Sequence, residues 1–277
     1  MYPLEYVQAH FLERSPFSAT TPHHSISCQL SHPGHAVFEG AHIRDGMRAA
    51  PGAIERVQIK NGQSKIYTIG EKPPVGICGS GILDAVAELL KDGIIDHRGA
   101  FQEGAPNVRE GISTQYKEFL LVPSEYTGHG KDIVVTRSDV NEIQLAKGAI
   151  RAGLEILLEE GGIAAGDIDE FIIAGAFGTY LDVGSAMTVG KFPELPRERF
   201  RQVGNAAGTG AQQMLLSAER RRVADEIPER VEYIELTTHA GFENTFMKAM
   251  FLELYKASLP HIFYACLQAV IFSLRSS

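Results

Sequence analysis

Cysteine is scarce, with three residues in 277, Cys28, Cys78 and Cys266, and no Cys-x-x-Cys pair. So few thiols, so far apart, exclude a four-thiolate iron–sulfur cluster or structural zinc built from this chain alone. An odd, sparse set also points to a reducing cytoplasm rather than a disulfide framework. Long apolar runs are missing too. The last one, residues 262–274, contains Gln268 and falls well short of the roughly twenty residues a spanning helix needs, so no membrane anchor is expected. Glu5, His10, Glu13 and Arg14 occupy the N-terminal stretch where a signal peptide would need an apolar core. Basic charge is in deficit, with 26 Lys and Arg against 34 Asp and Glu and a net charge of -8. The densest basic group, Arg220, Arg221 and Arg222, sits among Glu219, Asp225 and Glu226, which reads as a solvated helix face and not a nucleic-acid patch.

What is present is globular: 44% hydrophobic and 22% charged residues, enough for one or two packed cores. No internal repeat or low-complexity run interrupts it. Residues 1–37 read differently from the rest, because Pro3, Pro16, Pro22 and Pro33 break any period. His23, His24, His32 and His35 in the same stretch suggest a metal site only weakly, since no helical or strand spacing converges the rings. From residue 38 onward the pattern is that of a folded domain. Residues 53–60 and 65–69 alternate around Asn61-Gly62, a hairpin signal. Ile82, Leu83, Val86, Leu89 and Leu90 predict an amphipathic helix with Ser80 as N-cap and Gly93 as its stop. Residues 98–114 read as a polar loop, and residues 119–122 and 133–136 as strands. Asp139 with Glu142 predicts a helix start, and Ile143, Ala146, Ile150, Leu154 and Leu157 carry one face to Gly161-Gly162. Phe171-Ile172-Ile173-Ala174 reads as a buried strand. Alternation of strands and helices argues for an α/β or mixed-sheet domain.

Three glycine-rich stretches could carry chemistry. Gly175-Ala176-Phe177-Gly178 follows the predicted strand directly, where ligands gather in open α/β sheets and where glycine lets a ligand approach the backbone. The helix before it offers Gln144, Lys147 and Arg151 on one stripe, with Gly148 leaving room for a flat ring. A tight turn and a solvated stripe are the plainer alternatives. Gly204-Asn205-Ala206-Ala207-Gly208-Thr209-Gly210-Ala211 permits close packing of a helix on a ligand or, more simply, on another helix. Gly76 to Gly81 resembles an anion-binding helix N-terminus but lacks the lysine of a P-loop. Cys78 beside it reads either as a reactive thiol or as a small core residue.

Taken in order, several motifs resemble one family. They are Phe38-Glu39-Gly40-Ala41-His42-Ile43, Gly46-Met47-Arg48-Ala49, Gly76-Ile77-Cys78-Gly79-Ser80-Gly81-Ile82-Leu83-Asp84, Ala146-Lys147-Gly148-Ala149-Ile150-Arg151-Ala152-Gly153, residues 174–178 and residues 204–211. Together they look like the C-terminal part of the reductive activators of corrinoid proteins, members of the actin/Hsp70/sugar-kinase (ASKHA) superfamily. The resemblance covers residues 38–251. It implies an α/β fold, an RNase H-like actin/Hsp70-type ATPase lobe with a mixed sheet flanked by helices, expected to be incomplete.

By that resemblance, Gly175, Ala176, Phe177 and Gly178 stand at the adenosine motif. Gln144, Lys147, Gly148 and Arg151 lie along adenine and ribose, and Gly204 and Asn205 open the connecting helix where two lobes hinge. The implied cofactor is ATP or ADP with Mg2+, and the implied partner a corrinoid protein, such as a corrinoid iron–sulfur protein or a methyltransferase subunit, with a homodimer as an option. The family's N-terminal [2Fe–2S] ferredoxin domain and its two Asp-Gly-Thr phosphate loops have no counterpart in these residues, so no catalytic residue is assigned. Residues 1–37 and 252–277 depart from the family and are read as non-native ends of a truncated or frame-shifted reading frame. The alternatives are a kinase of the same superfamily and a non-catalytic nucleotide-binding module.

Overall fold

In the computed structural model, the described residues are 7–12, 25–30, 42–111, 116–175 and 177–255. The histidines of residues 23–35, the Phe38-to-Ala41 half of the first motif, Ala176 and residues 256–277 lie outside them. Strands β1 (Val7–Leu12) and β2 (Ser25–Leu30) pair antiparallel, and a late strand, residues 231–235, pairs with the other edge of β1.

The first packed layer grows from a hairpin. Strands β3 (Ala53–Lys60) and β4 (Gln63–Thr68) turn through Asn61 and Gly62, both at positive φ, 51° and 75°. That is the geometry the Asn-Gly pair predicts. The Asp92 carboxylate accepts both turn amides, at 3.0 Å from Asn61 and 2.7 Å from Gly62. The short strand β5 (Gly76–Ile77) runs parallel to β3 and feeds helix α1 (Gly79–Lys91). Ile82, Leu83, Val86 and Leu89 are buried against the sheet, each contributing about 1.5–3 kcal/mol. The helix can lie this close because of Gly81, where a Cβ would stand 2.1 Å from the Ile54 carbonyl oxygen. The expected cap at Ser80 is corrected: Cys78 is the N-cap, without a side-chain bond, and Ser80 is buried inside the first turn. The helix starts earlier because the strand delivers it straight onto the core.

Strands β6 (Val108–Glu110), β7 (Lys117–Val122) and β8 (Ile133–Thr136) form an antiparallel sheet, so the stretch read as a loop contains a strand. Glu118 of β7 is fully buried and clamped by two guanidiniums, Arg44 and Arg109, the latter at 3.0 Å and also paired with Asp132 at 2.8 Å.

β8 runs into the long helix α2 (Arg137–Glu160) without a loop. Its N-cap is Thr136 rather than Asp139, because the last strand residue already has the extended backbone a cap requires. Thr136 Oγ1 accepts the Asp139 amide at 3.1 Å and the Asp139 carboxylate accepts the Thr136 amide at 2.8 Å, a reciprocal capping box. The helix ends at Gly161-Gly162, as expected.

Strand β9 (Phe171–Ala174) follows, then helix α3 (Val183–Thr188) and strand β10 (Phe200–Gly204), which pairs parallel with β9. The expectation of a buried β9 holds for Ile173 only; Ile172 is 51% exposed. One face of the pair packs inward through the rings of Phe171, Phe192 and Phe200, with centroids 4.9 and 5.2 Å from Phe171. The chain finishes with α4 (Ala206–Leu216), α5 (Ala218–Glu226), β11 (Val231–Glu235) and α6 (Phe242–Ala249). α6 packs on α2 through Ala152, Ile156, Leu157, Phe242 and Ala249. Among the described residues no helix is long and apolar enough to cross a membrane.

Candidate functional site

The residues singled out from the sequence fall into two groups. The first lies where the parallel strands β9 and β10 end. Gly175 (φ 106°) and Gly204 (φ 63°) both take left-handed backbone that suits glycine. The Gly175 amide donates to the Gly204 carbonyl at 2.7 Å, extending the ladder by one bond past the last strand residue. A Cβ on Gly175 would meet nothing within 4 Å, so the strand end opens onto free space. Gly178 is different: a Cβ there would lie 2.7 Å from Ile173 Cγ2, so this glycine serves the turn's packing. Gln202 fastens that turn by donating to the Gly178 and Leu181 carbonyls, the latter at 2.8 Å. Phe177 starts a short 3-10 turn, and Ala176 lies outside the described residues.

Asn205 follows Gly204 immediately and caps α4, its Oδ1 accepting the Gly208 amide at 2.9 Å. The N-terminus of an eleven-residue helix therefore stands beside the glycine mouth, where its dipole favours negative charge. No residue of α4 is buried, and the space beside Gly210 is empty. The close helix packing favoured for this stretch is not made by the described residues.

The second group is the α2 stripe, and it is covered. Gln144 donates to the Met250 carbonyl at 3.0 Å and accepts from Arg137 at 3.1 Å. Lys147 is fully buried and donates to the Phe251 carbonyl. Burial first, and Arg151 second, pull its ammonium down to about 7. Arg151 is held by Glu155 at 2.7 Å and sits 4.8 Å from the Tyr255 ring centroid. Space expected over Gly148 for a flat ring is taken by Met250 and Phe246, at 3.3 and 3.4 Å from a Cβ built there.

The third glycine stretch is a packing device. Gly76 faces Asp45 and Met47, and Gly81 faces Ile54, so these glycines let the start of α1 pack closely, and that start is buried. Cys78 is a buried core thiol, 3.2 Å from the Ile54 carbonyl. Among the described residues no group of three or more His, Cys, Asp or Glu could hold a metal.

Two polar features were missed. Asp84 of α1 is buried against Ser185 of α3, with Arg56 at 3.4 Å from one carboxylate oxygen and no partner for the other. Burial raises its pKa. Lys191 is buried beside the Phe192 ring, and burial lowers its ammonium to about 7. Asp84 closes one of the quoted motifs and Lys191 belongs to none, and neither lies on an apolar period that signals burial.

Comparison with known proteins adds an identity to this geometry. Residues 26–262 match the family model described as the C-terminal domain of RACo, the ASKHA domain. The chain is 41% identical over 217 residues to the corrinoid activation enzyme RamQ of Eubacterium limosum, covering 76% of this chain and 37% of the relative. It is 26% identical over 234 residues to the [Co(II) methylated amine-specific corrinoid protein] reductase of Methanosarcina barkeri, covering 76% of this chain and 39% of the relative. Among solved structures it resembles a reductive activator for corrinoid,iron-sulfur protein, with TM-score 0.74 and 37% identity over 83% of this chain and 37% of that one. The chain thus spans well under half the length of these relatives, and the mixed α/β lobe expected from the sequence is its fold.

Proposed function

Since the chain belongs to the family of the C-terminal ASKHA domain of RACo, we propose that it supplies the adenosine side of the ATP site in an ATP-dependent reductive activator of corrinoid proteins. The observation that carries this reading is the open mouth at Gly175 and Gly204, beyond the carboxyl ends of two parallel strands and next to the α4 N-terminus. That cradle fits a nucleotide, because a Cβ at Gly175 would fill the space a ribose or base needs. Gly175, Gly204 and Asn205 would hold the nucleoside against bare backbone, and the α4 dipole would favour its negatively charged end. The stripe of Gln144, Lys147, Gly148 and Arg151, which residues 246–251 cover, is assigned to the adenine and ribose side of that site by the family resemblance.

ATP, when bound, supplies the phosphoanhydride bond whose hydrolysis makes the cycle directional. The chain's own contribution is to bind and orient the nucleoside and to pass the bound state to the rest of the protein through α4. The step served is a one-electron reduction of cob(II)alamin to cob(I)alamin on a partner corrinoid protein, uphill from an ordinary ferredoxin. Each tenfold bias of such a couple needs about 59 mV, which a nucleotide-driven change of state can provide only by favouring one complex over another. The electron comes from outside this chain, whose three cysteines cannot hold a four-thiolate cluster. One relative is named a corrinoid activation enzyme and the other a corrinoid-protein reductase, which supports this reading over a kinase of the same superfamily. The reading is completed by a cytoplasmic location.

The test is a chimera. Residues 42–255 replace the matching stretch of the Eubacterium relative, and ATP-dependent reduction of that relative's corrinoid protein is followed by the loss of cob(II)alamin absorbance. Retained, ATP-dependent reduction supports the reading. A folded chimera that binds ATP yet reduces nothing contradicts it.

A further inference from the structure

The polar stripe of α2 is not simply buried in a core; one short segment closes it. Met250 and Phe251 place their carbonyls on the side chains of Gln144 and Lys147. Glu253 lies 3.8 Å from Arg151, and the Tyr255 ring stacks over the same guanidinium. The segment threads between α2 and two loops. Its far side is fixed by Leu252, buried in the main core, and by two bonds: the Leu252 amide donates to the His97 carbonyl at 2.8 Å, and the Glu194 amide donates to the Tyr255 carbonyl at 3.1 Å. Gly190 makes room for the passage, since a Cβ there would stand 2.0 Å from the Glu253 carbonyl oxygen.

The closure is incomplete in chemical terms. Arg151 Nη1 is buried and has no hydrogen-bond partner, a state that costs more than an exposed donor would. The acceptors offered to Gln144 and Lys147 are backbone carbonyls, which any chain can provide and a better acceptor can replace, while Arg151 keeps the carboxylates of Glu155 and Glu253. A contact evolved only to hold the fold would satisfy the guanidinium. A contact that alternates with a ligand rich in acceptor oxygens and ring nitrogens leaves such a group waiting.

We propose that residues 250–255 are a strap over the α2 stripe, and that a nucleotide reaches Gln144, Lys147 and Arg151 only when the strap is released. This rests on the reading of that stripe as a wall of the adenosine site. Strap and nucleotide then compete, so the strap sets the affinity and reports occupancy of the site to whatever follows residue 255.

Two measurements on the full chain test it. Amide exchange at Leu252 and Glu194 is followed by mass spectrometry with and without ADP and Mg2+, and ADP affinity is measured calorimetrically for the wild type, Tyr255→Ala and Glu253→Gln. Release predicts exchange at both amides faster by roughly tenfold or more with ADP, and tighter ADP binding to both variants, more so for Tyr255→Ala. If ADP binds with exchange unchanged or slowed and with equal affinity across the three proteins, the strap is a fixed part of the fold and the proposal falls, while the nucleotide site stands. If none of the three binds ADP, the site reading itself falls and takes the strap with it. The wild-type exchange measurement decides the matter even if a variant fails to fold.

Discussion

Lys147→Met separates what the buried lysine costs from what it holds. In the folded chain the Lys147 side chain has no solvent exposure, and burial followed by repulsion from Arg151 brings its pKa to about 7, with Glu253 and Glu155 pulling weakly the other way. The phenol of Tyr255, pushed up by its own burial, stays neutral in this range. In the unfolded chain the ammonium titrates near 10.4. Between those two values the unfolded state carries the extra proton, so stability rises with pH. The slope from this one group is about 1.4 kcal/mol per pH unit, or roughly 2 kcal/mol between pH 7.5 and 9.0. Below pH 7 the whole penalty is present, on the order of 4 kcal/mol. Methionine removes it, leaving instead a Phe251 carbonyl without its donor, a loss of about 1–3 kcal/mol that does not change with pH. Urea unfolding of both proteins at pH 7.5 and 9.0 gives the test. The wild type should gain about 2 kcal/mol on the variant across that interval. Lys191, whose pKa is also about 7, acts equally in both and cancels. A stability difference that stays flat with pH would refute the burial argument for Lys147.

Two further outcomes follow from the remaining buried charges. Glu118→Ala strands the guanidinium of Arg44 and leaves Arg109 with Asp132 alone, and chemical denaturation should register a loss of about 3 kcal/mol, the low end for a broken buried pair because both arginines are about one third exposed. Asp84→Asn should raise stability at pH 7, on the order of 1 kcal/mol, since one carboxylate oxygen is buried without a partner. The raised pKa of Asp84 means that the folded state keeps its proton longer than the unfolded state. The wild type's deficit is therefore full at neutral pH and vanishes on acidification below the ordinary carboxylate range. Thermal melts of both proteins at pH 7 and pH 4 check that closing gap.

How much of this was legible beforehand differs from element to element. The Asn61-Gly62 hairpin and the body of α2 were readable, because a turn pair and a 3.6-residue period are local properties. The starts of α1 and α2 were misplaced by two and three residues. In both, the preceding strand runs into the helix without a loop, so Cys78, directly after β5, and Thr136, the last residue of β8, serve as caps. The glycines illustrate a deeper limit. Gly81 and Gly175 look alike in sequence, yet one is pressed on Ile54 and the other opens to free space, and only the packing partner distinguishes them. The proposed strap left little trace, since Gln144 and Lys147 meet main-chain carbonyls that any residue would provide. Glu118 was likewise invisible, a charge inside a strand whose compensating arginines come from 74 and 9 residues away.

The central claim is that Gly175 and Gly204 form the nucleoside-facing mouth. Isothermal calorimetry with ADP and Mg2+ tests it most directly on the wild type and Gly175→Val, where no described residue lies within 4 Å of the added Cβ and the strain of a side chain at φ 106° is read separately from the variant's thermal melt. The account predicts one ADP per wild-type chain and binding to the variant weaker by roughly tenfold or more. Equal affinity in the two folded proteins, or no heat of ADP binding to the wild type, would contradict it.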